Sequence, residues 1–256
     1  MTKLKAASQS ESRHGGASAA RADDRKKARS YFDIQEEKRH ADKGAVADFI
    51  VGKYFHEGDS ILLDAGTSLY PLANRIVAAG KQSPDATHFT IMTHNYRAFE
   101  ILVGAPKEAN LNIVLAGGRY DQDLKALFGA QTASNYETFY PRTVVIGISG
   151  LVADVGLFCH GNTEELQVKE LIFKKSSTRR IIVADHTKLG QQDSFLFGKS
   201  VDLRAGTDEC VVVTTMPDES VDMRIRDRYH GEVDKLRNKY GISVQEIGSA
   251  KARPSR

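Results

Sequence analysis

The sequence predicts an α/β domain built on a mainly parallel sheet with crossover helices on both faces. Seven short apolar runs, at 61–63, 89–92, 111–115, 144–148, 181–184, 211–213 and 242–244, recur along residues 42–248, several of them rich in Val and Ile. Most lack polar alternation, as strands covered on both faces do. Stretches with helical spacing separate the runs, which is the pattern of parallel strands joined through helices.

Residues 1–41 read as a polar basic tail, flexible or a lone helix. They are rich in Ala, Ser, Gly and alternating charge, and beyond Met1 their large apolar residues are Leu4 and the cluster Tyr31, Phe32, Ile34, too few for a core. The domain is expected to start near Asp42. Ala45, Val46, Phe49, Ile50 and Tyr54 form one helical stripe, and Glu57-Gly58-Asp59 ends it. Further helices are expected over 69–79, 96–103, 131–139 and 163–175. The last opens on Glu164 and Glu165 and closes on Lys174 and Lys175, matching the helix dipole. A longer helix over 221–240 is entered through Ser220, ended by Gly241, and carries Val221, Ile225, Tyr229, Val233, Leu236 and Tyr240 on one face. Residues 249–256 form a short basic tail.

With 256 residues and 41% hydrophobic content, the chain can bury a sizeable core. No run approaches the roughly eighteen apolar residues of a membrane span, and the start lacks a signal peptide's apolar block, so a cytoplasmic location with no membrane partner is expected. Cys159 and Cys210 are too few for a disulfide framework. The eight His lack clustered ligand spacing, so no metal is expected, and nothing asks for a cofactor. Residues 1–45 hold 11 Lys and Arg against 7 Asp and Glu, whereas the rest holds 25 against 26. The net +3 therefore describes a basic tail, not a basic face for nucleic acid.

In open α/β sheets ligands bind beyond the carboxyl ends of the strands, which makes the residues after each apolar run the ones to inspect. After the first run comes Asp64-Ala65-Gly66-Thr67-Ser68, followed by a helix with Pro71 in its first turn. Gly66 admits a close backbone approach, Thr67 and Ser68 offer hydroxyls and the helix start offers amides, together a phosphate cradle. Thr93-His94-Asn95, Gly117-Gly118-Arg119, Ser149-Gly150 and Asp185-His186-Thr187-Lys188 end four further runs. Lys188 and Arg119 suit a phosphate's charge; Asp64, Asp185 and Asn95 suit sugar hydroxyls. Cys159-His160 is rejected as a nucleophile pair, because neighbours on an extended chain point to opposite faces.

The order Asp64-Ala-Gly-Thr-Ser, Gly117-Gly118, Gly147-Ile-Ser149-Gly150, Glu164-Glu165 followed by Lys169, and Ala184-Asp185-His-Thr-Lys188-Leu-Gly190 resembles the effector-binding domain of DeoR-type bacterial transcriptional regulators over residues 42–248. The resemblance implies the fold shared by ribose-5-phosphate isomerase, glucosamine-6-phosphate deaminase and CoA transferases, with a phosphorylated sugar as inducer. It places Asp64, Gly66, Thr67, Ser68, Gly118, Ser149 and Lys188 in the effector pocket, with Glu165 and Lys169 on the helix at its rim. The sequence departs from that pattern where Ser68 stands for Thr, where His94 interrupts a Thr-Asn pair and where His186-Thr187 replaces Ser-Ser. Thr214-Thr215-Met216-Pro217 also lacks the family's Asp-Ser pair.

Such regulators begin with a winged helix-turn-helix, to which nothing in residues 1–41 corresponds. Arg25-Lys26-Lys27 with Arg29 is a basic run able to hold phosphates weakly and without base selectivity. The leading expectation is a sugar-phosphate sensor acting through ligand-dependent assembly as a homo-oligomer or through partner binding. The first rival is an isomerase or deaminase of the same fold, with Asp64, Asp185, Glu165 or His94 as acid or base. The second is a regulator that contacts DNA through its tail or a partner.

Overall fold

The computed structural model describes residues 29–38, 40–82 and 88–248. In the first part of the chain come α1 (Tyr31–Glu37), α2 (His40–Tyr54), β1 (Ser60–Leu63), α3 (Tyr70–Gln82), β2 (Phe89–Thr93), α4 (Tyr96–Val103), β3 (Leu111–Leu115), β4 (Arg119–Asp121), β5 (Ala126–Phe128) and α5 (Ala130–Thr138). The second part carries β6 (Thr143–Gly147), β7 (Gly150–Val152), β8 (Gly156–Cys159), α6 (Thr163–Lys174), β9 (Ser177–Ala184), β10 (Phe195–Lys199), β11 (Thr207–Thr215), α7 (Met223–Asn238) and β12 (Ser243–Ile247). All seven apolar runs become strands of one parallel sheet, ordered β12-β11-β9-β6-β1-β2-β3. The predicted fold class is the observed one.

Alternation along these strands feeds two cores. Ile61, Leu63, Ile91, Val145, Ile181 and Val183 pack with α2, α3 and α4 on one face, whereas Leu62, Met92, Val144, Ile146 and Ile182 pack with α5, α6 and α7 on the other. Because both faces are covered, the strands read as unbroken apolar runs. The chain leaves β1 toward β2 and β3 on one side and continues from β6 to β9, β11 and β12 on the other. Connections beyond β1 and β6 thus diverge, which opens a crevice at the carboxyl edge between them.

Three features differ from the sequence reading. Phe32, 3% exposed, joins the core against Tyr70, with ring centroids 5.9 Å apart, although the segment before His40 was expected to hold no core. A seven-residue helix is marginal alone. What holds α1 is a capping box between Ser30 and Asp33 together with Phe32, whose full burial contributes about 1.5–3 kcal/mol. Second, β7, β8 and β10 form a small antiparallel sheet, and β4 and β5 a hairpin, all of which the sequence reading left as loops. Third, Asp222 rather than Ser220 caps α7, its carboxylate accepting from the Arg224 amide. Residues 1–28 and 249–256, and with them the Arg25-Lys26-Lys27 run, lie outside the described residues. Among the described residues, no helix is long and apolar enough to cross a membrane.

Candidate ligand-binding site

At the divergence of β1 and β6 the structure holds a cavity of about 480 Å³. The turn after β1 supplies Ala65, Gly66, Thr67 and Ser68 as one wall. Gly66 has φ 127°, in the region that favours glycine, and this lets the chain fold back so that the Leu69 amide bonds its carbonyl at 3.1 Å. The next residues begin α3, where Pro71 has no N–H to leave unpaired and the Leu72 amide bonds the Leu69 carbonyl at 3.0 Å. Gly147 at the end of β6 and Ser149 after it line the cavity from the other side of the switch point, and Asp185 and Lys188 come from the turn after β9. That turn is a single 3-10 step, His186–Lys188, capped by Asp185, which accepts from the Thr187 amide at 2.9 Å.

The floor is charged. Asp64 and Lys169 are both buried, and the Lys169 ammonium donates to Asp64 Oδ2 at 2.5 Å and to the Gly147 carbonyl at 2.6 Å. The Gly147 amide donates to the same Oδ2 at 3.0 Å. Burial alone would depress the Lys169 ammonium, but Asp64 and Glu165 outweigh it and hold it above its ordinary value. Glu165 sits in the first turn of α6, which Asn162 caps, and accepts from the Gly161 amide at 2.6 Å. Burial raises its carboxyl above the usual range, against the pull of Lys169.

Behind the floor, His94 Nδ1 lies 2.7 Å from the Tyr136 hydroxyl, and its Nε2 faces Asp64 Oδ1 at 3.6 Å. Facing a carboxylate, Nε2 carries the hydrogen, and the Tyr136 hydroxyl donates to Nδ1. Complete burial pushes the imidazole down to about 4, so it is neutral at ordinary pH.

Of the residues expected to bind a ligand, Gly66, Thr67, Ser68, Ser149, Glu165, Lys169, Asp185 and Lys188 line this cavity, together with Ala65, Gly147 and Thr187 of the same motifs. Asp64, Thr93, His94, Asn95, Gly117, Gly118, Arg119 and Gly150 do not. Asp64 lies beneath the floor rather than offering itself to sugar hydroxyls. Thr93 donates to the Leu63 carbonyl, and Asn95 caps α4 and donates to the Gly66 carbonyl at 3.3 Å, so both brace the cradle from behind. Gly117 and Gly118 turn the chain into the β4–β5 hairpin, and Thr132 Oγ1 donates to the Gly117 carbonyl at 2.6 Å. Gly150 opens β7, where a side chain would collide with the Gln191 backbone.

Arg119, expected to meet a phosphate, is exposed and paired with Glu164. Exposed pairs contribute about 0.2–1 kcal/mol. Arg119→Ala is accordingly expected to leave urea-denaturation stability within about 1 kcal/mol of wild type.

Several contributors escaped the sequence reading, among them residues of the first two helices. Tyr31, Phe32 and Gln35 on α1, and Lys43 on α2, line the cavity. Tyr31 stacks on His160 with centroids 4.3 Å apart and planes 11° apart. The Tyr31-Phe32 pair behind a Ser30-x-x-Asp33 cap was the available signal. Cys159 and His160 both reach the wall, contrary to the opposite-faces argument. Burial nonetheless pushes the Cys159 thiol up to about 12, which keeps it protonated and unreactive.

A doubly wound sheet with a charged cavity at its switch point defines a small-molecule-binding domain. More specifically, the chain belongs to the DeoR C-terminal sensor domain family, whose pattern matches residues 38–205. It is 26% identical over 148 residues to the transcriptional repressor AccR of Agrobacterium fabrum, covering 58% of this chain and 53% of that protein. It is 24% identical over 154 residues to the HTH-type transcriptional repressor GlcR of Bacillus subtilis, covering 59% and 53%. The chain thus spans about half the length of the curated relatives it matches. Among solved structures, ribose 5-phosphate isomerase from Plasmodium falciparum aligns at 14% identity and TM-score 0.40, covering 57% of this chain and 51% of that one. That distance carries no argument about chemistry.

Proposed function

We propose that the cavity receives a phosphorylated sugar, or a similarly small phosphorylated metabolite, as the effector of a cytoplasmic transcriptional regulator. The observation that carries this reading is the lining itself. With Lys169 neutralised by Asp64, Lys38, Lys43 and Lys188 still outnumber Glu165 and Asp185, beside the Thr67 and Ser68 hydroxyls just ahead of α3. A surplus of cations at a helix start favours an anion. The volume falls in the range of about 300–1,000 Å³ typical of small-molecule sites. Lys188 and the α3 turn take the phosphate in this reading, and Asp185 and Ser149 take hydroxyls. Of the acid or base candidates for an isomerase or deaminase, Asp64 is committed to Lys169 beneath the floor and the His94 ring is buried behind it, which leaves Glu165 and Asp185 at the wall. Occupancy is read out through assembly of a homo-oligomer or through a partner, whichever of the two states the ligand binds more tightly.

Thermal-shift titration with sugar phosphates, including ribose 5-phosphate and glucosamine 6-phosphate, tests the reading. At least one compound is expected to raise the melting temperature, and Lys188→Ala to weaken it about tenfold, the cost of one charged hydrogen bond. If the whole panel leaves the melting temperature unchanged, the reading is abandoned.

A further inference from the structure

Lys43 is only 5% exposed, yet it carries an ammonium into the cavity wall. The ammonium donates to two neutral oxygens, the Gln35 carbonyl of α1 at 2.5 Å and the Thr67 hydroxyl of the cradle at 3.1 Å. A lysine has three donors, so one remains for a ligand oxygen. Burial is the larger influence on this group and pushes it down to about 8, with Asp185 and Glu36 opposing and Lys188 and Lys38 adding to the effect. An incoming anion would relieve that cost, since ionised acceptors make hydrogen bonds about twice as strong as neutral ones.

Through Gln35, the same ammonium holds the helix that closes the cavity. Tyr31, Phe32, Gln35 and Lys38 form one side of the cavity. The other ties of α1 include the Tyr31 stack on His160, the Phe32 ring in the core, the Phe32 amide donating to the Asp123 carbonyl at 2.9 Å, and the Tyr70 hydroxyl donating to Glu36. Residues 31–37 also precede the stretch shared with the family, which begins at 38, so their place over the cavity is a feature of this chain that the family match does not supply.

We infer that Lys43 binds the ligand's anionic group and, bridging Thr67 to Gln35, couples occupancy of the cavity to the seating of α1. Loading the cavity tightens α1 over the ligand. This rests on the effector reading above.

The test uses the full chain, with ribose 5-phosphate and glucosamine 6-phosphate as probes and inorganic phosphate as a charge-only control. Hydrogen exchange and calorimetric titration are the readouts. On the wild-type chain, the binding probe is expected to slow exchange of amides 31–37. Lys43→Met is expected to weaken that probe about tenfold, to abolish the slowing, and to speed exchange of the same amides without ligand. Protection of the β1 and β6 amides in the variant shows that it is folded, and Lys43→Arg, which keeps the charge, is expected to restore part of both effects. Unchanged affinity in a folded Lys43→Met, or undiminished slowing at 31–37, overturns the inference and leaves the effector reading standing. Failure of the wild-type chain to bind any probe overturns both, and is seen before any variant is compared.

Discussion

Asp64→Ala is expected to lower stability by about 3–5 kcal/mol, because it strands a buried ammonium. Asp64 is fully buried, and the Lys169 side chain it pairs with is 4% exposed. Removing the carboxylate leaves the Lys169 charge with the Gly147 carbonyl and only the Coulombic pull of Glu165, and takes the Asp64 acceptor from the Gly147 amide. For a chain of this size the loss corresponds to a fall in melting temperature on the order of 10 °C. The partner substitution discriminates between charge and packing. If the penalty is the unpaired charge, Asp64→Leu combined with Lys169→Met recovers more than half of it, since replacing both members of a buried pair with apolar groups is often neutral. Urea denaturation of the two single variants and the double variant gives the coupling directly. Additive losses would show that the pair is not a unit.

Gly118→Ala is the second large effect, expected to cost about 3 kcal/mol. Gly118 has φ 113°, and an added Cβ would press into Thr132 Oγ1 and lie 2.6 Å from the Phe128 carbonyl oxygen. Backbone strain and overpacking combine at a point where neither neighbour can withdraw, because Thr132 is fully buried and Phe128 lies in the core. Near-wild-type urea stability would show that the hairpin yields. If Gly118 were instead a ligand contact, the variant would keep its stability and lose affinity.

The two glycine positions show how far the sequence could be read. A strand followed by Gly66-Thr67-Ser68 and one followed by Gly117-Gly118 look alike, since both demand a backbone that only glycine adopts readily. Which of them faces a ligand depends on the strand order, and the sheet places β1 at the switch point and β3 at its edge. Strand existence was legible because unbroken Val and Ile runs have few other uses. The small sheet of β7, β8 and β10 was not, because each of its strands contains a glycine and none holds an unbroken Val or Ile run. Lys43 was invisible for a different reason. A lysine in the first turns of a helix is ordinarily solvated, and its burial here depends on α1 folding back over it, a contact that no local spacing encodes.

The row Tyr136, His94, Asp64, Lys169 has a bearing on constancy. With the imidazole uncharged down to about pH 4 and the lysine held above its ordinary value, neither of these two changes protonation between mild acid and mild alkali. That part of the receptor presents any guest with an unvarying electrostatic backdrop, and discrimination among guests falls to the groups nearer the solvent.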